Sequence, residues 1–262
     1  MVQIGPSPSG EGPIWLLVVD EVWEGRRSLI RDRHTVFRVR LLLQVGSDLG
    51  VQTEGWPVTD DRVFSKKHAP LEPWWDRLLE VLIERGAHRT VEAFAPGLSY
   101  GEIEAVLAAS GIAPGTVRGQ ILNLFRCSNG FKEGRWTRLF PDVDLLSLQD
   151  MISVRKMMLE VVGVSSGYSS YAGYPAYGFV PEYIPFAERD GYLLVTDMRA
   201  GSSWGEVLKY DKVSADEDPK KWTSLTYLFD ELIAAIANGS EFDGWTADVI
   251  DGELIWDLEG GP

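Results

Sequence analysis

The chain has 262 residues, a formal net charge of −14 and 45% hydrophobic residues. That length buries a hydrophobic core without staples, and a single cysteine, Cys127, excludes a secreted disulfide scaffold. The negative field works against general nucleic-acid or anionic-membrane binding and favours encounter with a basic partner, with plain solubility as the simpler reason for it.

The N-terminal MVQIGPSPSGEGP has no basic region, and the apolar run IWLLVV is too short for a signal sequence. No apolar run reaches the ~18 residues of a membrane span. A cytoplasmic protein is expected. Residues 1 to about 13 read as disordered, Ile14–Val22 and Thr35–Val45 as strands, and residues 46–70 as a polar linker.

Helices follow. Pro73 suits a first turn, and Trp74, Trp75, Leu78, Leu79 and Leu82 share one face up to Gly86. Ser99 and Glu102 make a capping box for a second helix, which ends at Gly111. A third is expected over Thr116–Ser128, with Asn129-Gly130 as its stop. Cys127 lies in the apolar run ILNLFRC and reads as a core residue. Trp136–Phe140 reads as a short strand, and Ser147 opens a helix to about Val161.

Residues 163–178 are a low-complexity Gly/Ser/Tyr loop. Strands are expected over Val180–Ala187, Tyr192–Asp197 and Trp204–Tyr210, with Asp190-Gly191 as a tight turn. A helix spans Ser224–Ala237, stopped by Asn238-Gly239. A closing hairpin joins Thr246–Ile250 to Glu253–Leu258 through Asp251-Gly252. Segregated helices and tight-turned strands predict an α+β fold, an antiparallel meander packed against helices.

Several phrases in this order resemble the SUKH superfamily, which includes the yeast Smi/Knr cell-wall assembly regulators and bacterial immunity proteins. They are WWDRLLEVL, LSYGEIEAVLAASGI, LNLFRCSNG, FVPEYIPFAERDGYLLVTDMR with WGEVLKYD, and WTSLTYLFDELI. The resemblance covers about residues 70–240. It departs at GIAPGT, where the family often has Leu-Pro, and at Tyr183, where a tryptophan is common. It implies a SUKH-like domain over 66–262 with a C-terminal hairpin. Residues 1–65 are then an N-terminal β-containing, partly disordered extension of unknown role.

The enzymatic signals are weak. Gly163-Val164-Ser165-Ser166-Gly167 fits the G-x-S-x-G elbow, but the following Tyr, Ser, Gly and Pro will not form its helix. His34, His68 and His88 all precede Ser165, whereas that triad places its histidine afterwards. Ser153 and Lys156 match S-x-x-K inside an amphipathic helix, without a companion motif. No zinc-ligand spacing, calcium loop, P-loop or dinucleotide fingerprint occurs, so no metal and no cofactor are expected.

The resemblance therefore implies a non-enzymatic, protein-binding role. The most specific form is an immunity protein that neutralises a cognate bacterial toxin by covering its active site with an acidic face. A regulatory scaffold is the alternative, and a hydrolase the remote one. Candidate contacts are Glu182, Glu188, Asp190, Asp197, Glu206 and Trp204. Tyr168, Tyr171, Tyr174 and Tyr177 join them, because tyrosine among Ser and Gly is a paratope mixture. A floppy insertion without a role is the alternative for that loop. Pro185, Asn129 and Gly130 fit turns and strand ends and read as structural. The sequence specifies neither the partner nor the oligomeric state.

Overall fold

A computed structural model describes residues 69–258 other than 114, 136, 164–167 and 218. The expectations for residues 1–65 lie outside the described residues, as do four of the five positions of the G-x-S-x-G match.

Helix α1 (Glu72–Glu84) has Pro73 in its first turn and turns Trp75, Leu78, Val81 and Leu82 inward. Gly86, at φ +86°, lets the chain leave it. A short α2 (His88–Ala93) leads into β1 (Phe94–Pro96). In α3 (Tyr100–Ala109) the expected capping box is present: the Glu102 amide donates to Ser99 Oγ at 3.3 Å and the Ser99 amide to Glu102 Oε2 at 2.7 Å.

Helix α4 (Gln120–Cys127) is shorter than expected. Gly119 stands at φ 63°, ψ −141°, a backbone state closed to ordinary side chains, so the helix begins after it. Asn129-Gly130 corrects a second expectation. It does not stop a helix but lies within β2 (Ser128–Phe131), antiparallel to β1.

The strand expected at Trp136–Phe140 is not seen among its described residues. Thr137–Phe140 is irregular chain that buries Leu139 and Phe140. Its apolar residues serve the core, and side chains meet its polar groups: the Trp256 indole donates to the Arg138 carbonyl at 3.2 Å, and the Thr90 and Thr137 hydroxyls lie 2.9 Å apart. Strand β3 (Asp144–Leu145) follows, then α5 (Leu148–Val161), capped by Ser147 as expected.

The main sheet is an antiparallel meander in chain order: β3, β4 (Tyr183–Arg189), β5 (Tyr192–Asp197), β6 (Val207–Asp211) and β7 (Lys221–Trp222). Pro185 cannot donate to a ladder, and it sits at a bulge where the β4–β5 register shifts between Pro185 and Ala187. The third expected strand starts at Val207 rather than Trp204, because Gly201–Glu206 folds as turns closed by Trp204 N to Gly201 O and Glu206 N to Ser203 O.

Helix α6 (Leu225–Asn238) begins at its Ser224 cap and ends at left-handed Gly239. It packs on α1, where Trp75 and Phe229 lie 6.1 Å apart and the Trp74 indole donates to Asp230 at 2.7 Å. The chain closes with β8 (Glu241–Phe242), β9 (Trp245–Ile250) and β10 (Glu253–Leu258). Asp251 and Gly252 both have positive φ, as a type I′ turn requires.

The meander is buried on both faces. One face gives Ile184, Phe186, Leu194 and Val207 to the helical core. The other gives Tyr183, Leu193, Val195, Leu208 and Tyr210 to a second cluster with Met158, Ala176, Phe179 and Val180. Among the described residues no helix is long and apolar enough to cross a membrane.

Candidate partner-binding site

The segment 168–180 covers that second face, so the Gly/Ser/Tyr loop is part of the fold. Its alanines point in and three of its tyrosines point out. Ala172 and Ala176 are buried, while Tyr171, Tyr174 and Tyr177 are 60%, 65% and 62% exposed. Tyr168 is the exception, since it packs against the second cluster. Gly173, at φ +93°, allows close approach to the 201–206 turn: a Cβ there would meet Ser203 Oγ at 2.7 Å.

Buried polar groups fix the loop's backbone. Asp216 accepts from the amides of Ala176 and Tyr177 at 2.6 and 2.8 Å and from the Tyr183 hydroxyl. The Arg199 guanidinium donates to the carbonyls of Ser169 and Tyr174 at 2.7 and 2.8 Å, to Tyr183 Oη at 3.0 Å, and to Asp197 Oδ2 at 2.7 Å. Ala172 N bonds to Ala200 O at 2.8 Å. Arg199, Asp197, Asp216 and Tyr183 are all at most 2% exposed. Arg199 and Asp197 form an ion pair and the Asp216 carboxylate accepts three hydrogen bonds, the satisfaction that lets buried charge persist.

The electrostatics follow from that burial. Burial opposes the Arg199 charge, but the hydrogen bond and charge of Asp197 outweigh it, and the net shift is upward. Burial first, then the bond to Asp216, pushes the Tyr183 phenol far up, so it remains a donor. The network also holds Tyr177 at φ 54°, uncommon for a residue with a Cβ.

The acidic candidates do not form one face. Asp197 is a correction: it is fully buried beneath Arg199 and presents nothing to a partner. Glu188 accepts from Gly191 N at 2.9 Å and Asp190 occupies the adjoining turn, so both serve the β4–β5 hairpin. Glu182 lies at the opposite end of β4, roughly 20 Å from Glu188 along an extended chain. Glu206 is half-buried, and its carbonyl accepts from Asp197 N.

Trp204 packs against the helical core, not against the second cluster that the tyrosine loop covers. It is half-buried, with Gly119 against its ring and the Arg118 guanidinium 5.7 Å from its centroid. Beyond it runs a groove of about 310 Å³ lined by Thr116, Arg118, Arg155, Pro181, Glu182 and Met198, with Gly115. Burial lowers the pKa of Arg155, opposed by the charge of Glu182. The S-x-x-K pair is not joined: Ser153 donates to Gln149 O at 3.0 Å, and Lys156 pairs with Glu160 at 4.0 Å.

Arg199, Asp216, Arg118 and Arg155 were not among the sequence candidates. Asp216 sits in the polar stretch DKVSADEDPKKW, where nothing distinguishes a buried carboxylate from its exposed neighbours. A scan against protein-family models finds no match for this chain, and a search of curated proteins finds no significantly similar sequence.

Proposed function

We propose that this is a non-enzymatic binding domain that recognises another protein through Tyr171, Tyr174 and Tyr177. One observation carries the reading: three exposed tyrosines stand on a backbone tied down by buried Arg199 and Asp216. Ordering a loop on binding costs affinity, and here the fold has already ordered it. Rigid tyrosines supply large amphipathic contact area at low entropic cost.

The SUKH-like phrases make neutralisation of a bacterial toxin the most specific form of this reading, with a regulatory scaffold as the alternative. The charge of −14 then acts at long range, raising the on-rate for a basic partner, while the tyrosines make the contact.

The test is affinity capture from the native cell lysate with the wild-type chain and with Tyr171→Ser/Tyr174→Ser/Tyr177→Ser side by side. A stoichiometric partner held by the wild type and lost from the triple variant is the expected result. A basic toxin-like protein supports immunity, and envelope-synthesis or signalling proteins support the scaffold. A partner held equally by both baits removes the tyrosines from the interface.

A further inference from the structure

The charges around the groove beside Trp204 are unusual for so acidic a chain. Among the described residues, no carboxylate lies within ion-pair distance of Arg118 or Arg155. Arg155 donates to the Pro181 carbonyl at 2.5 Å, but its Nε is buried without a hydrogen-bond partner. Glu182, on the same groove, likewise has a buried Oε2 without a partner. A donor and an acceptor on the groove wall therefore each lack a partner, a desolvation cost that a shift of either side chain toward a bound ligand would relieve.

We propose that the groove between Arg118, Arg155 and Glu182 is a second binding site, one that takes a carboxylate carried next to an N–H donor. That chemistry belongs to a free α-amino acid and to the C-terminus of a polypeptide. A planar guanidinium receives a carboxylate through paired hydrogen bonds, and the Trp204 ring beneath Arg118 orients one such plane. Glu182 accepts the neighbouring N–H and repels a second acidic group, which disfavours phosphates. Pro181 and Met198 offer an apolar wall to the ligand's side chain. The volume, about 310 Å³, suits a ligand of a few heavy atoms rather than a nucleotide.

The site does not rest on the tyrosine surface, and its test is separate. The full chain is titrated calorimetrically with L-leucine, with N-acetyltrialanine as the free acid, with the same peptide as its C-terminal amide, and with inorganic phosphate. At least one carboxylate ligand should bind with a Kd of about 1 mM or tighter. The amide should fail, and Arg118→Gln or Arg155→Gln should each weaken binding by roughly tenfold or more. Leucine binding identifies a small-molecule site, and binding of the peptide acid alone identifies a polypeptide terminus. Arg118 is exposed, so its variant keeps the fold, which circular dichroism checks. The triple tyrosine variant should bind the same ligand unchanged. The proposal is overturned if neither carboxylate saturates the protein, if amide or phosphate binds as well as the acid, or if both arginine variants bind like the wild type.

Discussion

The Arg199 guanidinium donates to the carbonyl oxygen of Tyr174 at 2.8 Å, so a fully buried cation sets the backbone of a residue whose ring stands in water. The same guanidinium neutralises Asp197. Arg199→Met would leave a buried carboxylate unpaired, which costs about 3–5 kcal/mol in comparable sites. Asp216→Asn should cost less, about 1–3 kcal/mol, because the amide still offers one acceptor. Urea unfolding reads the stabilities. Hydrogen exchange should speed up at the amides of Ala176 and Tyr177 in Asp216→Asn, while α6 stays protected. Unchanged protection there would mean that Asp216 does not hold the loop.

The tyrosines separate into two kinds by direction alone. Tyr171, Tyr174 and Tyr177 point outward, and the triple change to serine should alter stability by less than about 0.5 kcal/mol. Tyr183→Phe removes only an oxygen, yet it leaves Asp216 and Arg199 each short of a partner, and should cost about 1–3 kcal/mol. Thermal denaturation of the two variants decides this. A triple variant as unstable as Tyr183→Phe would show that the exposed rings hold the fold, and would weaken their assignment to binding.

Local signals in the sequence marked the elements whose stabilising groups are near in the chain. The capping box at Ser99, the Ser147 cap, Gly239 and the Asp251-Gly252 turn all act within a few residues, and each is where it was expected. Asn129 was legible as structural but not in its partner: its Oδ1 accepts from Leu148 N at 2.8 Å and so helps cap α5, nineteen positions on. The loop network was harder still. Asp216 meets Ala176 and Tyr183 across separations of 40 and 33 residues, and Arg199 meets Tyr174 across 25. Charge in the sequence does not tell whether the acidic residues form one patch; Asp197 is buried and Glu188 faces its own turn, because the strand ladder, not the composition, decides which carboxylates meet.

Cys127 is half-buried near two carboxylates. Burial, then the charges of Glu72 and Asp76, push its thiol up to about 12, against 9.0 unperturbed. The folded chain therefore holds this proton more tightly than the unfolded chain does. The contribution is intact below pH 9 and is lost as pH rises from there toward 12. Tyr210, pushed by burial to about 12, acts in the same direction above pH 10. Urea midpoints should fall steadily above pH 9, and Cys127→Ala should flatten the first part of that fall. A disulfide reagent at pH 8 should label the folded thiol far more slowly than the unfolded one. Equal labelling rates would contradict the raised thiol.

Gly119 couples the start of α4 to Trp204. At φ 63°, ψ −141° an L side chain is strained, at roughly 1–3 kcal/mol. A Cβ would also stand 2.9 Å from Trp204 Cη2, a contact that cannot be kept. Gly119→Ala therefore carries two costs, one in the backbone and one in the indole's position. Trp204→Ala removes the second and leaves the first. In a double-mutant cycle the alanine at 119 should be less costly in the Trp204→Ala background, and the difference measures the steric part. An equal cost in both backgrounds would mean that the indole moves aside freely. A free indole would not orient Arg118, so Gly119→Ala would then leave carboxylate binding in the groove unchanged. A large coupling would instead predict that Gly119→Ala weakens that binding through the displaced ring.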